Sequence, residues 1–325
     1  MDNCLQTTFC AILALCSTTL AQSSPRNISI ENEALSVMIN TSGAELQSIR
    51  HKKTGTEYLW QGDPTYWSGR APIMFPVNVR FKDERFTFKG ISYEMPRMGL
   101  AVQSNFAVLP SQSPDSVTLI LTSNEKTLRH YPFPFEFRIN FRLEENRLIH
   151  QFMVANTGQE TMYFALGGHP GFACPFVAGR GRGDYELTFS ESLDVDRNEI
   201  VDSLIQPTRR PFLKNENRLA LDDSRIPNGG MLLLDTPSRQ IGVGLKGRPP
   251  FITLDLGDFP NVNLWSPPGM PYACIEPMIA HHDPVDSPVA IEEKSHLIAL
   301  PAGESRTYQF SIIVHEPGGQ VSISR

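Results

Sequence analysis

Phe135-Glu136-Phe137-Arg138-Ile139-Asn140-Phe141-Arg142-Leu143 alternates apolar and polar side chains without a break. A repeat of two puts successive side chains on opposite faces of an extended chain, so this stretch predicts a β-strand with one dry face and one wet face. Asn146 follows as a turn residue and Leu148 to Ala155 resumes the pattern, so the two segments read as a hairpin. Working outward, Phe86 and Phe88 face Ile91, Tyr93 and Met95 across Lys89-Gly90 as a second hairpin. Val117 to Leu121, Tyr185 to Phe189 and Tyr308 to Val314 read as further strands, and Met231 to Leu234 is expected to return through Ile241 to Leu245 after Thr236-Pro237-Ser238. No helical spacing persists over twelve or more positions, and 26 Pro with 23 Gly demand many turns. These features predict an all-β fold, a large antiparallel β-sandwich. No low-complexity linker or charge shift divides the chain, so one domain is expected from about residue 27 to 325.

Charge narrows the partners. Lys and Arg number 29 against 35 Asp and Glu, spread without long runs, whereas a nucleic-acid face needs clustered cations. Residues 1–21 read as a signal peptide: Phe9 to Leu15 is apolar, and a small, polar stretch leads to cleavage after Ala21. That run is too short for a membrane span, which takes about 20 residues, so the expected location is secreted or periplasmic. Cys16, directly after Leu15, offers a second reading as a lipidation site. Asn27-Ile28-Ser29 and Asn40-Thr41-Ser42 match a glycosylation acceptor. Cys174 and Cys274 lie in apolar, Pro-containing contexts and read as buried thiols, with a disulfide as the alternative.

Three stretches carry residues suited to chemistry. Phe164-Ala165-Leu166-Gly167-Gly168-His169-Pro170 ends a strand on two Gly, which permit close approach of a ligand, and a Pro, which fixes the imidazole's direction. His is the side chain best suited to proton transfer near neutrality, although it serves equally as a turn cap. In Val262 to Pro277 a single carboxylate, Glu276, interrupts an apolar run; burial there would raise its pKa and make it a stronger base, unless a cation pairs with it. Arg70 and Arg80 bracket an apolar segment and carry donor forks that fit hydroxyls, carboxylates or phosphates, or simple ion pairs. Trp60, Trp67 and Trp265 suit either a sugar face or the core. His281-His282-Asp283 has metal-ligand residue types, but adjacent residues of an extended chain point apart, so no metal is expected. Phosphate loops, nucleophile elbows and paired-Cys motifs are absent, and no cofactor is implied.

Gly43 to Ile49, Glu57 to Pro64 with Tyr66-Trp67, and Arg70 to Pro76, followed in order by Gly167-Gly168-His169-Pro170, Cys174-Pro175, and Trp265 with Pro271 to Pro277, resemble the aldose 1-epimerase family, especially its LacX-like branch. The resemblance covers most of the chain beyond the leader. It implies a galactose mutarotase-like β-supersandwich with a sugar in an open cleft on one sheet. It implies His169 as the acid that protonates the ring oxygen, Glu276 as the base that takes the C1 hydroxyl proton, and Arg80 as a substrate clamp. The partner it implies is a small sugar, a hexose or a hexose phosphate held by Arg70, Arg80 or Arg97. One stretch departs: Met95-Pro96-Arg97-Met98-Gly99-Leu100-Ala101-Val102 places Met98 where family members carry a sugar-contacting His and Val102 where they carry Arg. A thioether donates no hydrogen bond, so a binding protein without catalysis is the alternative reading. A hydrolase would need a second carboxylate; Asp255 and Asp258 are near in sequence only, and Asp255 stands as a candidate sugar contact.

Overall fold

The structure, a computed structural model, describes residues 24–111 and 113–316. The expected signal peptide, with Cys4, Cys10 and Cys16, lies outside the described residues.

The alternating stretch is the strand Phe135–Glu144, paired with Arg147–Asn156 from Phe135 opposite Asn156 to Glu144 opposite Arg147. The turn between them places Glu145 at φ 51°. Phe135, Phe137, Ile139, Phe141 and Leu143 are each at most 3% exposed, so the alternation reports the buried face as expected. This hairpin is the middle of a nine-stranded antiparallel sheet, which continues through Ser116–Thr122 to Ala107–Leu109 on one side. On the other side it continues through Ser305–Val314, Pro250–Asp255 and Gln240–Leu245 to Tyr185–Val201 and Leu204–Ala220.

A second sheet holds Met231–Leu233, Asn261–Trp265, Tyr272–Met278, Gly167–Gly168 and Ile73–Met74 in that order, with Gly171–Ala173 also paired to Tyr272–Met278. Between the sheets lies one contiguous apolar core, in which the Phe75 ring stacks on Phe137 at 4.5 Å. A three-stranded sheet, Asn27–Glu31, Leu35–Asn40 and Glu45–His51, packs its apolar side into the same core. The hairpin across Lys89-Gly90 forms as read, Arg85–Phe88 against Ile91–Glu94.

Two expectations need correction. Met231–Leu233 and Gln240–Leu245 do not pair with each other: the first joins Asn261–Trp265 in the six-stranded sheet and the second lies between Tyr185–Val201 and Pro250–Asp255 in the nine-stranded one. The intervening Thr236-Pro237-Ser238 carries the chain from one layer to the other, and turn residues alone do not distinguish that from a hairpin. The strand starting at Tyr185 runs 17 residues, because past Phe189 it leaves Gln240–Leu245 and continues with Leu204–Ala220 as a two-stranded ribbon with register shifts. Its polar residues past Phe189 hid it from an apolar pattern. The described residues hold one short α-helix, Glu125–His130, capped by the Asn124 side chain; six residues are too few to show a helical period.

In antiparallel sheets, residues directly opposite one another share a face. Leu232 opposite Asn263, Asn263 opposite Glu276, Trp265 opposite Cys274, and Met278 opposite Gly167, itself opposite Met74, therefore place these side chains on one face of the six-stranded sheet. Val262, Leu264 and Ile275 face the other way, into the core.

Candidate active site

His169 and Glu276, 107 positions apart, meet on that outer face: imidazole Nε2 lies 3.3 Å from carboxyl Oε1. The Glu276 carboxyl is held from its other oxygen, which accepts a 3.0 Å hydrogen bond from Asn263 Nδ2. Asn263 can do this because it stands opposite Glu276 in the hairpin closed by Pro267-Pro268-Gly269-Met270. The strand's period of two also brings Cys274 to the same face. The His169 backbone is fixed by its own N–H, which donates to Pro72 O at 2.9 Å.

The two glycines before His169 serve the protein rather than a ligand. A Cβ on Gly167 would come within 2.7 Å of Asn78 Oδ1, and one on Gly168 within 2.8 Å of the Phe310 ring. Gly168 lets the strand lie close on the core, and Gly167 leaves room for the Asn78 side chain.

Aromatic rings wall the pair. Trp67 lies 5.0 Å from the His169 ring and Trp265 meets it edge-on at 5.6 Å, while Tyr272 touches both tryptophans at 5.4 and 5.2 Å. Trp60, 8% exposed, packs behind Tyr272. The loop that carries Trp265 is pinned by Arg182, which donates to Ser266 O, Met270 O, Tyr272 O and Leu221 O at 2.7–3.1 Å. Nothing in the sequence marked Arg182. Under this cover the two side chains are closed off from solvent, Glu276 at 0% and His169 at 8% exposed.

Enclosure sets the electrostatics. Burial penalises whichever form is charged, and it pushes the Glu276 carboxyl up to about 8 against the stabilising Asn263 hydrogen bond. The same burial pulls His169 down to about 4. Between those values the pair holds one proton and no net charge. The Cys274 thiol is also pushed well up, by burial first and by Glu276 second.

The remaining candidates fall into separate groups. Met98, at φ 60°, packs with Val79 and Ile200 against Met74, Ile205, Leu232 and Met278, an apolar patch on the same sheet face two residues along from Glu276. The ribbon tip supplies Ile200 and Ile205, and its exposed Asp202 joins Arg80 Nη1 at 3.0 Å and Arg97 Nη2 at 3.5 Å. Arg97 also pairs with Glu84 at 2.9 Å. Arg70 is held by the Gln47 side chain and, at 2.8 Å, by Gln61 O. Asp255 lies on the nine-stranded sheet with Arg147 Nη1 at 3.4 Å and Gln240 Nε2 at 3.2 Å. It is opposite Ser311, so it points away from the buried Leu254 and Ile312 face. The structure thus joins His169, Glu276 and Trp265, sets Met98 beside them, and puts Asp255 on another surface. Cys174 and Cys274 are both free. His281, His282 and Asp283 do not converge: Asp283 turns to Lys294 and His296, while His281 stacks on His296 at 4.8 Å.

Two cavities, of about 420 and 680 Å³, lie elsewhere, one beside Glu94 and His130 and one on the outer side of the large sheet around Arg147 and Arg248. Neither is lined by His169 or Glu276.

These layers form a β-supersandwich of the galactose mutarotase-like type, with an imidazole and a carboxyl group 3.3 Å apart under a tryptophan wall. The aldose 1-epimerase family model matches residues 26–312, and the chain belongs to that family. Protein LacX (plasmid) of Lactococcus lactis subsp. lactis is 32% identical over 301 residues, 88% of this chain and 99% of the relative. The solved structure of a galactose mutarotase related enzyme from Lactobacillus acidophilus superposes with a TM-score of 0.84 at 30% identity, covering 92% of this chain and all of that one. A galactose mutarotase-like protein from Lactobacillus casei superposes at 0.79 and 28% identity, over 89% and 100% of the two chains.

Proposed function

We propose that the protein interconverts the α and β anomers of a hexose, with His169 and Glu276 as its two proton carriers. The supporting observation is their 3.3 Å approach in an enclosed site, in a chain of the aldose 1-epimerase family. Mutarotation removes the proton of the C1 hydroxyl and delivers one to the ring oxygen. Both oxygens are bonded to the same carbon, so a donor and an acceptor a few ångströms apart reach both.

The proton balance closes without an outside reagent. The resting proton sits on Glu276 and first passes to His169 across their 3.3 Å contact; Glu276 then takes the hydroxyl proton while His169 protonates the ring oxygen, the C1 to ring-oxygen bond breaks, and the aldehyde forms. The pair then holds its proton on Glu276. After rotation about the C1 to C2 bond, Glu276 protonates the aldehyde oxygen as His169 recovers its proton from the open-chain hydroxyl, and the ring closes on the other face. Each positioned proton-transfer group is typically worth about 10² to 10⁴ in rate. Trp67 and Trp265 supply apolar faces for the C–H side of a pyranose, and they must part to admit it.

Arg80 and Arg97 already engage Asp202, and Arg70 engages two glutamines. A phosphate arm would have to displace those partners, whereas an uncharged hexose need not, and this supports the free sugar as substrate. Met98 and Val102 favour the second reading, a sugar-binding protein without catalysis. NMR exchange spectroscopy on glucose and galactose separates the two: the proposal expects wild-type exchange well above buffer and none with Glu276→Gln, and wild-type exchange equal to buffer with saturable sugar binding would replace it with the second reading. We also propose export with cleavage after Ala21; N-terminal sequencing of the mature protein should then begin at Gln22.

A further inference from the structure

We infer that His169, Cys274 and Glu276 form a binding site for a thiophilic divalent cation, with zinc as the fitting ion, and that its occupancy shuts off the proton-transfer pair. One donor atom from each of the three lies within 4.8 Å of the others, all three are buried, and the Cys274 thiol is free.

Coordination chemistry selects the ion. Zinc takes sulfur at about 2.3 Å, imidazole nitrogen at about 2.0–2.1 Å and carboxylate oxygen at about 2.0–2.2 Å, in a tetrahedron. Around such an ion, neighbouring donors stand roughly 3.3–3.8 Å apart by the same bond lengths. Nε2 and Oε1 already stand at 3.3 Å, inside that range, and the Cys274 sulfur lies within 4.8 Å of the donors of both. Cys274 and Glu276 are two apart on one strand and so present their donors on one face, and His169 comes from the neighbouring strand connection. Calcium and magnesium want all-oxygen shells, so this donor set discriminates against them.

Charge is conserved in a way that a dry site requires. Binding releases the thiol proton and the proton shared by His169 and Glu276; a neutral imidazole, a thiolate and a carboxylate then balance the two positive charges. Glu276 Oε1 meets His169 Nε2 at 3.3 Å and has no other polar partner, so the ion replaces that one contact. Three protein donors leave a fourth corner of the tetrahedron for water or a sugar hydroxyl. With both carriers ligated, neither can move a proton, and inhibition follows if the proposed anomer exchange is the activity on which it acts.

Titration of the full chain with zinc, read by competition against a chromophoric chelator, and with cobalt(II), read by its thiolate charge-transfer band, tests the inference. The expected result is one equivalent whose band is absent in Cys274→Ala and whose affinity falls at least a hundredfold in both Cys274→Ala and Cys274→Ser. Magnesium in excess should not compete. Comparing each variant with wild type removes any contribution from the leader cysteines. Anomer exchange should be inhibited by zinc in wild type, restored by chelator, and zinc-insensitive in Cys274→Ala, whose exchange without zinc also reports that it is folded. An equal affinity in all three proteins, or no thiolate band in wild type, overturns the site. A thiolate band that depends on Cys274 in a protein that exchanges no anomers would uphold the site and overturn the proposed function.

Discussion

Among the described residues, the carboxylates of Glu276 and Asp283 are completely buried, and their surroundings are opposite. Asp283 takes Lys294 Nζ at 2.6 Å and the Lys82 backbone N–H at 2.8 Å on one oxygen, and has His296 Nε2 3.1 Å from the other. Burial alone would raise it, yet His296 and Lys294 outweigh burial and hold it below the usual carboxylate range. Glu276 has no cation, only an amide donor and an imidazole that burial also keeps neutral. A carboxylate matched with a cation is fixed in one protonation state and holds loops together; one left without a cation keeps a mobile proton. Here Asp283 ties the segment after Arg80 to the stretch that carries Lys294, and Glu276 is left without a counter-ion.

The largest effect should come from removing the mobile proton. Glu276→Gln keeps the shape and can still accept from Asn263, but cannot exchange a proton with His169; the anomer exchange rate should fall by about 10³ or more. His169→Asn should do the same, and the double variant should lose little beyond either single one, because the two act as one unit. Exchange rates near wild type in Glu276→Gln would put the chemistry elsewhere.

Breaking the matched carboxylate should instead cost stability. Lys294→Met leaves Asp283 charged, buried and short of its cation, and truncating one partner of a buried pair typically costs about 3–5 kcal/mol. Urea unfolding should show that loss, while exchange per folded molecule stays within about twofold of wild type. A Lys294→Met protein as stable as wild type but inactive would reverse the assignment of the two carboxylates.

The contrast extends to pH. Glu276's folded value is raised from 4.5 to about 8, so its contribution to stability is complete below about pH 4.5 and disappears as pH rises through 8. His169's is lowered from 6.5 to about 4, so its contribution is complete above about 6.5 and is lost as pH falls through 4. Glu276→Gln should therefore gain on wild type as pH rises from 5 to 9, by at most a few kcal/mol. The wild-type exchange rate should be bell-shaped, with limbs near the two folded values, where the pair gains a second proton or loses its only one. A stability difference between the two proteins that does not change with pH would mean that Glu276 is not protonated at neutrality.

Much of this was legible beforehand because it rests on short-range patterns. The alternation at 135–143 names its own buried face, and a lone carboxylate in the apolar run to Pro277 marks a costly burial. What could not be read depends on register and on long-range pairing. Asn263 becomes the partner of Glu276 only because the hairpin turns at Pro267-Pro268-Gly269-Met270, and one residue of slip would send it to the core. Asp255 looked suitable by nearness in sequence, but the same period-two rule puts it on the outside of the other sheet beside Arg147. The glycines before His169 were read as room for a ligand, and the nearest atoms turned out to be Asn78 and Phe310. Asp202 carried no signal, since a charged residue in a ribbon turn looks like any other.

Asp202 also yields the smallest expected effect. It is 72% exposed while the Arg80 side chain it meets is 8% exposed, so solvent screens the ion pair on one side only. Exposed pairs contribute about 0–1 kcal/mol, and Asp202→Ala should leave the folding midpoint nearly unchanged. Its consequence lies in what Arg80 and Arg97 do next. Both guanidiniums lose their shared acceptor, and two donor forks facing one point suit a doubly charged oxyanion. With glucose or galactose, exchange by Asp202→Ala should match wild type within about twofold. With the corresponding 6-phosphates it should rise several-fold over wild type, through a lower KM at equal kcat. If wild type already handles the phosphates better than the free sugars, and Asp202→Ala changes neither, then the carboxylate is no stand-in for phosphate and the ribbon tip yields to the substrate without competing for its charge.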